Sequence, residues 1–332
     1  MTNAASSGSD GHKVSPAAIL LIPVVVALVL TLFAWPASRQ EPRDLPIGVA
    51  GPAAATAGLD TELAAKKGAF DVHHYADEAT AREAIKDRDV YGAFVAGQSG
   101  FKVLTASGAS VSIAQLLQQA GEAAAAKKGS AAQVQDVAPG AKDDPRGSGL
   151  ASSVLPLVLA GLLIGGAAAF LASSLWSRVA VVLAGSLLAG FATIAIAQGW
   201  LGILEGPWVV NALVLSLVVL AIGSVVAGFG SLLGVAGIGL GLLLMMLVGN
   251  PWSGVSTAPE MLPQPTGEIG QLLPPGAGGN LVRSTAFFDG AAAGGHLAVL
   301  LAWVGVGLIA MVAAAARQRR RAPKVAEPVM AS

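Results

Sequence analysis

The chain has 332 residues, of which 54% are hydrophobic and only 12% are charged, whereas an ordinary soluble domain has about 25% charged residues. Its 20 Lys and Arg residues balance its 20 Asp and Glu residues, so no basic surplus points to a nucleic-acid partner. Cysteine is absent, which removes disulfides, thiolate metal sites and a cysteine nucleophile. These numbers exclude a soluble enzyme, a disordered protein and a nucleic-acid binder as first interpretations.

Six apolar stretches are long enough to cross a bilayer, because a spanning helix needs about 20 mostly apolar residues. None of them contains Asp, Glu, Lys or Arg. The predicted spans are residues 17–35, 150–173, 179–198, 209–228, 230–249 and 295–316. The fourth and fifth are almost continuous, and we place the break between them at Gly228–Gly230. The sequence therefore predicts a polytopic α-helical membrane protein with six transmembrane helices and a lipid bilayer as its surroundings.

Basic residues beside the spans predict the orientation, since Lys and Arg accumulate in short cytoplasmic segments. Arg178 follows the second predicted span, and a basic tail, residues 317–332, follows the last one. With six spans, both termini are expected in the cytoplasm and residues 36–149 on the outer side of the cell membrane. The first span has two interpretations, an uncleaved anchor or a cleaved signal peptide. Its apolar core is longer than a usual signal-peptide core, which favours the anchor.

Residues 36–149 have the alternation and spacing of an α/β domain rather than of a membrane segment. The predicted element order is β-α-β-α-β-β-α-β, with strands at 45–51, 70–76, 90–97, 101–107 and 133–138 and helices at 56–67, 77–89 and 110–128. Asp77 is the predicted N-cap of the second helix. We expect an extracytoplasmic α/β domain inserted between the first and second spans.

A second outer segment, residues 250–294, is rich in proline and glycine. Two short helices are predicted there, at 268–273 and 279–288, one on each side of a PPGAG sequence. Such a segment is expected to lie on the outer face or to dip partway into the membrane, where irregular backbone needs cover from protein or water.

Motifs for chemistry are missing from the sequence. There is no G-x-x-x-x-G-K-[ST], no G-x-S-x-G and no H-E-x-x-H. We therefore expect no catalytic residue, cofactor or metal, and any ATP hydrolysis would belong to a separate subunit. His73 and His74 are neighbours in a predicted strand and point to opposite faces, while His296 is expected at the membrane interface. The absence of ionisable residues within the spans argues against ion-coupled transport.

Glycines four residues apart allow two helices to pack closely. Gly161 and Gly165 form one such pair, and Gly230, Gly234, Gly237 and Gly241 follow a 4-3-4 spacing that predicts one helical face. These faces are expected to pack against a neighbouring helix or a second copy of the chain. Chance spacing in a glycine-rich chain is the alternative.

Three stretches resemble the type-2 ABC exporter permeases, particularly their YhgE/Pip-like (phage-infection-protein-like) branch. They are LPIGVAGP (45–52), FDVHHYADEATAREAIKDRDVYGAFV (70–95) and MLPQPTGEIGQLLPPGAGGNLVRSTAFFDG (261–290). The layout agrees as well: one span, an outer α/β domain, four clustered spans, a Pro/Gly-rich outer segment and a final span. The resemblance covers nearly the whole chain as architecture and short motifs.

The resemblance implies a permease-like subunit that exports an apolar or amphipathic molecule. Two copies would form the path, and a separate cytoplasmic ABC ATPase would hydrolyse ATP. The candidate gate residues in the outer segment are Pro274, Pro275, Gly276, Arg283, Phe287 and Phe288. Arg283 is expected to contact outer lipid headgroups or an acidic group of the outer domain. Trp176 and Arg178, in the predicted loop 173–178, are the candidate contacts with the partner.

The short cytoplasmic segments leave a second function open. Such permeases usually meet their ATPase through an N-terminal cytoplasmic helix and the loop after the second span, but here residues 1–16 and 173–178 are all that is predicted at these places. The alternative is a non-transporting cell-envelope interaction protein whose outer α/β domain binds a partner. A membrane-embedded enzyme ranks third, because no nucleophile or metal set is visible.

Overall fold

The computed structural model describes residues 16–97, 100–127 and 129–321. A five-stranded sheet with three helices lies between the first and second long apolar helices. Residues 45–136 are called the α/β domain below. The element order of this domain is the one predicted from the sequence.

The sheet of the α/β domain has the strand order β2-β1-β3-β4-β5. Its strands are β1 (Leu45–Ala50), β2 (Phe70–Tyr75), β3 (Gly92–Gly97), β4 (Gly100–Thr105) and β5 (Gln133–Asp136). β1 is parallel to β2 and β3, β4 is antiparallel to β3, and β5 is parallel to β4. β1 is buried almost throughout, as expected for a parallel strand covered by helices on both faces.

Three helices cover the two faces of this sheet: α2 (Ala53–Ala65), α3 (Glu78–Lys86) and α4 (Val111–Lys127). Leu59 of α2 and Leu117 of α4 share one core cluster with Phe94, whereas Ile85 of α3 lies in the cluster on the other face. Asp77 caps α3 as predicted: its carboxylate accepts from the Thr80 backbone N–H at 2.9 Å.

The remaining long helices are α1 (Pro16–Ser38), α5 (Ser148–Leu171), α6 (Leu175–Ala197), α7 (Trp208–Leu233) and α11 (Ala293–Arg321). Among the described residues, these five contain every helical stretch that is both long and apolar enough to cross a membrane. They agree with the predicted polytopic helical membrane protein. In the most apolar window of α7, 67% of residues are buried, against 39% or fewer in the others, so α7 is the central helix.

The break between the fourth and fifth predicted spans lies at Gly234, not at Gly228–Gly230. α7 continues to Leu233, and Gly234 then adopts φ +64° and ψ −138°, a region that side chains disfavour. After this turn come α8 (Val235–Leu242) and a π-helical segment (Leu243–Gly249). Together they form an apolar helix of fewer than 18 residues, shorter than the predicted span 230–249.

The Pro/Gly-rich segment folds into a 3₁₀ turn (Pro259–Met261), α9 (Thr266–Gln271) and α10 (Pro274–Phe287). The prediction that PPGAG separates two helices is wrong: Pro274 and Pro275 are the first residues of α10. Proline favours this position because the first N–H groups of a helix have no intrahelical partner. Residues 274–286 are all buried, because α10 packs between α7 and α11 and also meets the α/β domain.

The helices have two distinct ends. At one end, here called the sheet end, the α6–α7 loop approaches Asp143 and Thr285 through Gly202 and Gly206. At the other, the distal end, Ala168, Val182, Ala227 and Met311 form a small core cluster. The α5–α6 turn and the C-terminal arginines of α11 lie toward the distal end, away from the sheet.

Candidate functional site

The candidate site is the junction between the α/β domain and α10. Arg88 follows α3 in the left-handed backbone region, with φ 66°. Its Nη1 donates to the Asn280 carbonyl at 3.0 Å and to Ser284 Oγ at 2.5 Å, and its Nη2 donates to Asn280 Oδ1 at 3.0 Å. The guanidinium also lies 5.2 Å from the ring centre of Phe288, a cation–π distance. One arginine of the α/β domain thus binds one face of α10.

A second contact joins Tyr91, the residue before β3, to Glu260 in the 3₁₀ turn. The Tyr91 hydroxyl donates to Glu260 Oε2 at 2.8 Å. Backbone bonds run beside it, from the Arg43 N–H to the Glu260 carbonyl at 2.9 Å and from the Glu41 N–H to the Met261 carbonyl at 3.1 Å. Burial raises the pKa of Tyr91, and the charge of Glu260 raises it further. The phenol therefore stays a hydrogen-bond donor.

The two sheet cores extend into this junction. Ala258 and Met261 belong to the core cluster on the α2/α4 face, and Phe288 belongs to the cluster on the α3 face. The segment between α8 and α11 is therefore part of the hydrophobic core of the α/β domain as well as of the helices.

Arg283 is buried and, among the described residues, forms no ion pair with an acidic side chain, contrary to expectation. It is 6% exposed and donates through Nη2 to the Val255 carbonyl. Burial lowers its pKa to about 10, because removal from water disfavours the charged form. The expected contact of Arg283 is absent because α10 faces the protein interior instead of the membrane surface.

The other residues proposed as a gate pack in the same junction. Pro274, Pro275 and Gly276 form the buried first turn of α10, and a Cβ on Gly276 would lie 2.2 Å from the Gly270 carbonyl oxygen of α9. Phe287 packs against Gly108 of the α/β domain, and Phe288 lies under Arg88. The structure brings these residues together as the packing contacts of α10.

A cavity of about 200 Å³ lies in this junction. The α/β domain contributes Arg88 and Tyr91 to its wall, and the helical part contributes Glu260, Asn280 and His296. His296 is in the first turn of α11, where the sequence places an interfacial residue. The cavity therefore has polar and charged groups in a partly apolar wall, and it lies where the α/β domain meets the start of α11.

Gly161 and Gly165 lie on the face of α5 that packs against α7. A Cβ at Gly161 would come within 2.6 Å of Ile222, and one at Gly165 within 2.5 Å of the Gly223 carbonyl oxygen. The close approach is between two helices of one chain.

The sequence predicts that the other four glycines share one helical face, and this prediction is wrong. Gly230 is in α7, Gly234 is the turn, and Gly237 and Gly241 are in α8. A Cβ on Gly237 would lie 1.9 Å from the Phe229 carbonyl oxygen, because α8 folds back along the end of α7. The glycines form two facing surfaces of a tight helical hairpin.

Trp176 and Arg178 lie in the first turn of α6, not in a loop, because Ser174 caps that helix through a reciprocal bond with Ser177. Trp176 is 79% exposed, whereas Arg178 is buried and donates through Nε to the Ala172 carbonyl at 3.2 Å. Of the two, only Trp176 presents a surface to a partner.

Sequence reasoning missed Arg88, Asn280 and Ser284. Arg88 lies in the last turn of the predicted helix 77–89, in a charged run, KDRD (86–89), which is typical of a solvated surface. Asn280 and Ser284 are four residues apart, and this spacing puts them on one face of a helix. Both residues fall within the predicted helix 279–288, so the polar face was visible in the sequence, but no local pattern indicates that Arg88 binds it.

The fold defines a multi-pass helical membrane protein with an α/β domain between its first two long helices. Residues 17–174 match the family model described as ABC-2 family transporter protein. The match takes in α1, the whole α/β domain and α5. No curated protein matches the chain, and no solved structure does.

Proposed function

We propose that the chain is a permease subunit of an ABC-type exporter, of the YhgE/Pip-like branch, and that it moves an apolar or amphipathic molecule across the cytoplasmic membrane. The observation that carries the proposal is the family match over α1, the α/β domain and α5. The chain itself binds no nucleotide in this proposal. ATP hydrolysis belongs to a separate ABC ATPase, and two copies of the chain assemble with it.

The path of the chain supports six crossings. The α/β domain and residues 250–292 lie at the sheet end, whereas the Gly234 turn lies at the far end of α7. The apolar helix Val235–Gly249 therefore returns across the bundle, although it is short. The distal end holds Arg178, Arg317, Arg319 and Arg320, and this excess of basic residues supports a cytoplasmic location for it. The α/β domain then lies outside.

An open cleft between α5 and α6 supports an amphipathic substrate. It has a volume of about 540 Å³ and lies at the sheet end. Polar groups line one part of it and apolar side chains another: Asp143, Ser148 and Ser152 against Leu157, Ile196 and Leu201. Such a wall matches a molecule with a polar head and an apolar tail.

Trp176 is the proposed contact with the ATPase. It is exposed at the distal end beside the short α5–α6 turn, and a large aromatic side chain is a common centre of a protein interface. Trp200 is a matched control, because it is also 79% exposed but follows the opposite end of α6.

The test is a pull-down of the tagged full chain from native membranes into nanodiscs, followed by mass spectrometry and an ATPase assay. We expect recovery of an ABC ATPase with two copies of the chain. Trp176→Ala is expected to reduce ATPase recovery about tenfold, and Trp200→Ala to leave it unchanged. Recovery of envelope proteins alone, without ATPase activity, contradicts the proposal.

A further inference from the structure

The cavity in the junction has opposite charges in its wall that do not pair. Arg88 and Glu260 both line it, and the charge of Glu260 acts on the Arg88 guanidinium. In the part of the chain that the structure describes, the two groups form no ion pair within 4.0 Å. A cation and an anion therefore face one gap from two different parts of the fold, Arg88 from the α/β domain and Glu260 from the 3₁₀ turn.

Each of the two groups also keeps unused hydrogen-bonding capacity. A guanidinium has five N–H donors, and Arg88 uses three of them on Asn280 and Ser284. Glu260 accepts from Tyr91 through Oε2, and its Oε1 has no hydrogen-bond donor among residues 16–97, 100–127 and 129–321. The remaining N–H groups and the second carboxylate oxygen are available to a ligand.

The polar side chains around the gap hold it open. Asn280 donates through Nδ2 to Gln271 Oε1 at 2.6 Å, and Gln271 donates through Nε2 to the Ser253 carbonyl at 2.8 Å. These bonds fix Asn280, which in turn accepts from Arg88. Because Arg88 is fixed on α10 and Glu260 is fixed on Tyr91, neither group is free to close the gap by forming an ion pair.

We propose that this cavity binds a small zwitterion of the phosphoethanolamine type, with its anionic phosphate on Arg88 and its ammonium on Glu260. Arginine is well suited to phosphate oxygens, and a carboxylate is the natural acceptor for an ammonium group. The volume of about 200 Å³ corresponds to roughly six or seven waters at the liquid volume of about 30 Å³ each, enough for such a group. Binding joins the α/β domain to the helices through the ligand.

The position of the site in the proposed orientation bears on where its ligand comes from. His296, another wall residue, is in the first turn of α11, at the end of a helix that is long and apolar enough to span the membrane. With α11 crossing the membrane as proposed, the cavity lies at the level of the lipid headgroups. The same zwitterion reaches it either as the headgroup of phosphatidylethanolamine or as a free soluble ester.

The experiment is titration calorimetry of the full chain in nanodiscs made of phosphatidylglycerol alone. The probe is glycerophosphoethanolamine, and the two half-probes are glycerol 3-phosphate, which has only the anion, and ethanolamine, which has only the cation. We expect the full probe to bind at least about tenfold more tightly than either half, because only the zwitterion uses both groups. No heat from the full probe, or equal affinity for a half-probe, overturns the proposal.

A substitution at Glu260 tests whether this carboxylate binds the ammonium group. Glu260→Gln keeps an oxygen for the Tyr91 hydroxyl but removes the charge, and we expect the affinity for the zwitterion to fall about tenfold while that for glycerol 3-phosphate does not fall. Glu268→Gln is the matched control, since Glu268 is an exposed acid on α9 of the same segment. Unchanged zwitterion affinity in Glu260→Gln overturns the proposal.

The lipid composition separates the two sources of the ligand. If the headgroup occupies the cavity, nanodiscs that contain phosphatidylethanolamine compete with the soluble probe and weaken its apparent affinity. If the source is a free ester, the two lipid compositions give the same affinity. Neither result depends on an ATPase or on transport, so failure of the proposed function leaves this test intact.

Discussion

At the scale of the residue, Tyr91 shows how burial turns an ordinary side chain into a fixed donor. Its hydroxyl donates to Glu260 from within the junction, and both burial and that carboxylate disfavour its ionisation. A phenolate there would face the Glu260 charge at hydrogen-bond distance. The contact between the α/β domain and the 3₁₀ turn is therefore stable only while the phenol keeps its proton.

This gives a prediction for alkaline pH. The pKa of Tyr91 is raised above its ordinary value of 10.0, so the folded state holds a proton that the unfolded chain releases as pH rises through 10. The stabilisation from Tyr91 is complete below pH 10 and is lost at higher pH. In the variant Tyr75→Phe, Tyr91 is the only tyrosine left. The difference absorbance of this variant should show tyrosine ionisation only above pH 10 or on unfolding. Ionisation of native Tyr75→Phe near pH 10 would contradict this prediction.

The sequence predicts some individual residues well and others poorly. Asp77 is recognisable because a cap depends on its own neighbours in the chain. Arg283 is not, because its environment is set by Val255 and the position of α10. Arg88 and Asn280 are 192 residues apart in sequence, and no local pattern relates them.

At the scale of the element, the helices depend on close approach at a few glycines. Gly165 is the sharpest case, since a Cβ there would come within 2.5 Å of the Gly223 carbonyl oxygen and 2.7 Å of Val226 Cβ. Backbone atoms move less readily than the ends of side chains. Added volume at this position must therefore separate α5 from α7.

Gly165→Ala is predicted to destabilise the folded chain by about 1–3 kcal/mol, the usual penalty for overpacking. Gly166→Ala provides the control, because a Cβ on the neighbouring Gly166 would meet no atom within 4 Å. Thermal unfolding in detergent measures both. Equal unfolding temperatures for the two variants would show that α5 and α7 are not packed as described.

The turn between α7 and α8 makes a separate prediction. Gly234→Ala places a side chain at φ +64° and ψ −138°, and we expect a loss of about 1–3 kcal/mol from backbone strain. Gly239→Ala changes an ordinary helical position of α8 with open space around it and should be close to neutral. With a protease site inserted at this turn, we expect faster cleavage in Gly234→Ala than in Gly239→Ala, because the strained turn opens more often. Equal cleavage rates in the two variants would contradict the prediction.

Element types are predicted well from the sequence, whereas the ends of adjoining apolar helices are not. Strands and helices of the α/β domain are separated by polar residues and glycines, and these local signals mark their limits. From Val209 to Val248 the chain has no such contrast, so several glycines compete as the break. The choice of Gly234 depends on how α8 packs against Phe229 and Val226.

At the scale of the whole molecule, the proposed orientation has a direct test. The chain has no cysteine, so a single introduced thiol is the only one available for labelling. Gln119→Cys places it on an exposed position of α4, and Ser173→Cys places it in the exposed α5–α6 turn. In intact cells, a membrane-impermeant maleimide should label Gln119→Cys at once and Ser173→Cys only after permeabilisation. The opposite pattern would reverse the orientation.

The overall architecture was predictable where hydropathy determines it. Long apolar runs and a balanced, charged stretch at 36–149 separate the membrane part from the α/β domain by composition alone. The insertion of α10 between α7, α11 and the sheet was not predictable, because its proline, glycine and polar residues resemble a surface loop. Its burial follows from partners that lie far away in sequence.

The central position of α7 has a consequence for biosynthesis. Gly307 of α11 packs so closely on α7 that a Cβ would lie 2.3 Å from the Ser224 carbonyl carbon, yet α11 leaves the ribosome long after α7. Until α11 is synthesised, the side of α7 around Ser224 lacks its packing partner and faces lipid. The Ser224 hydroxyl donates to the Ala221 carbonyl of its own helix at 3.1 Å, so this side has its polar group satisfied before its permanent neighbour arrives. A nascent chain that is stalled before α11 should therefore still insert its earlier helices into the membrane. In the completed chain, α11 then packs against this surface of α7.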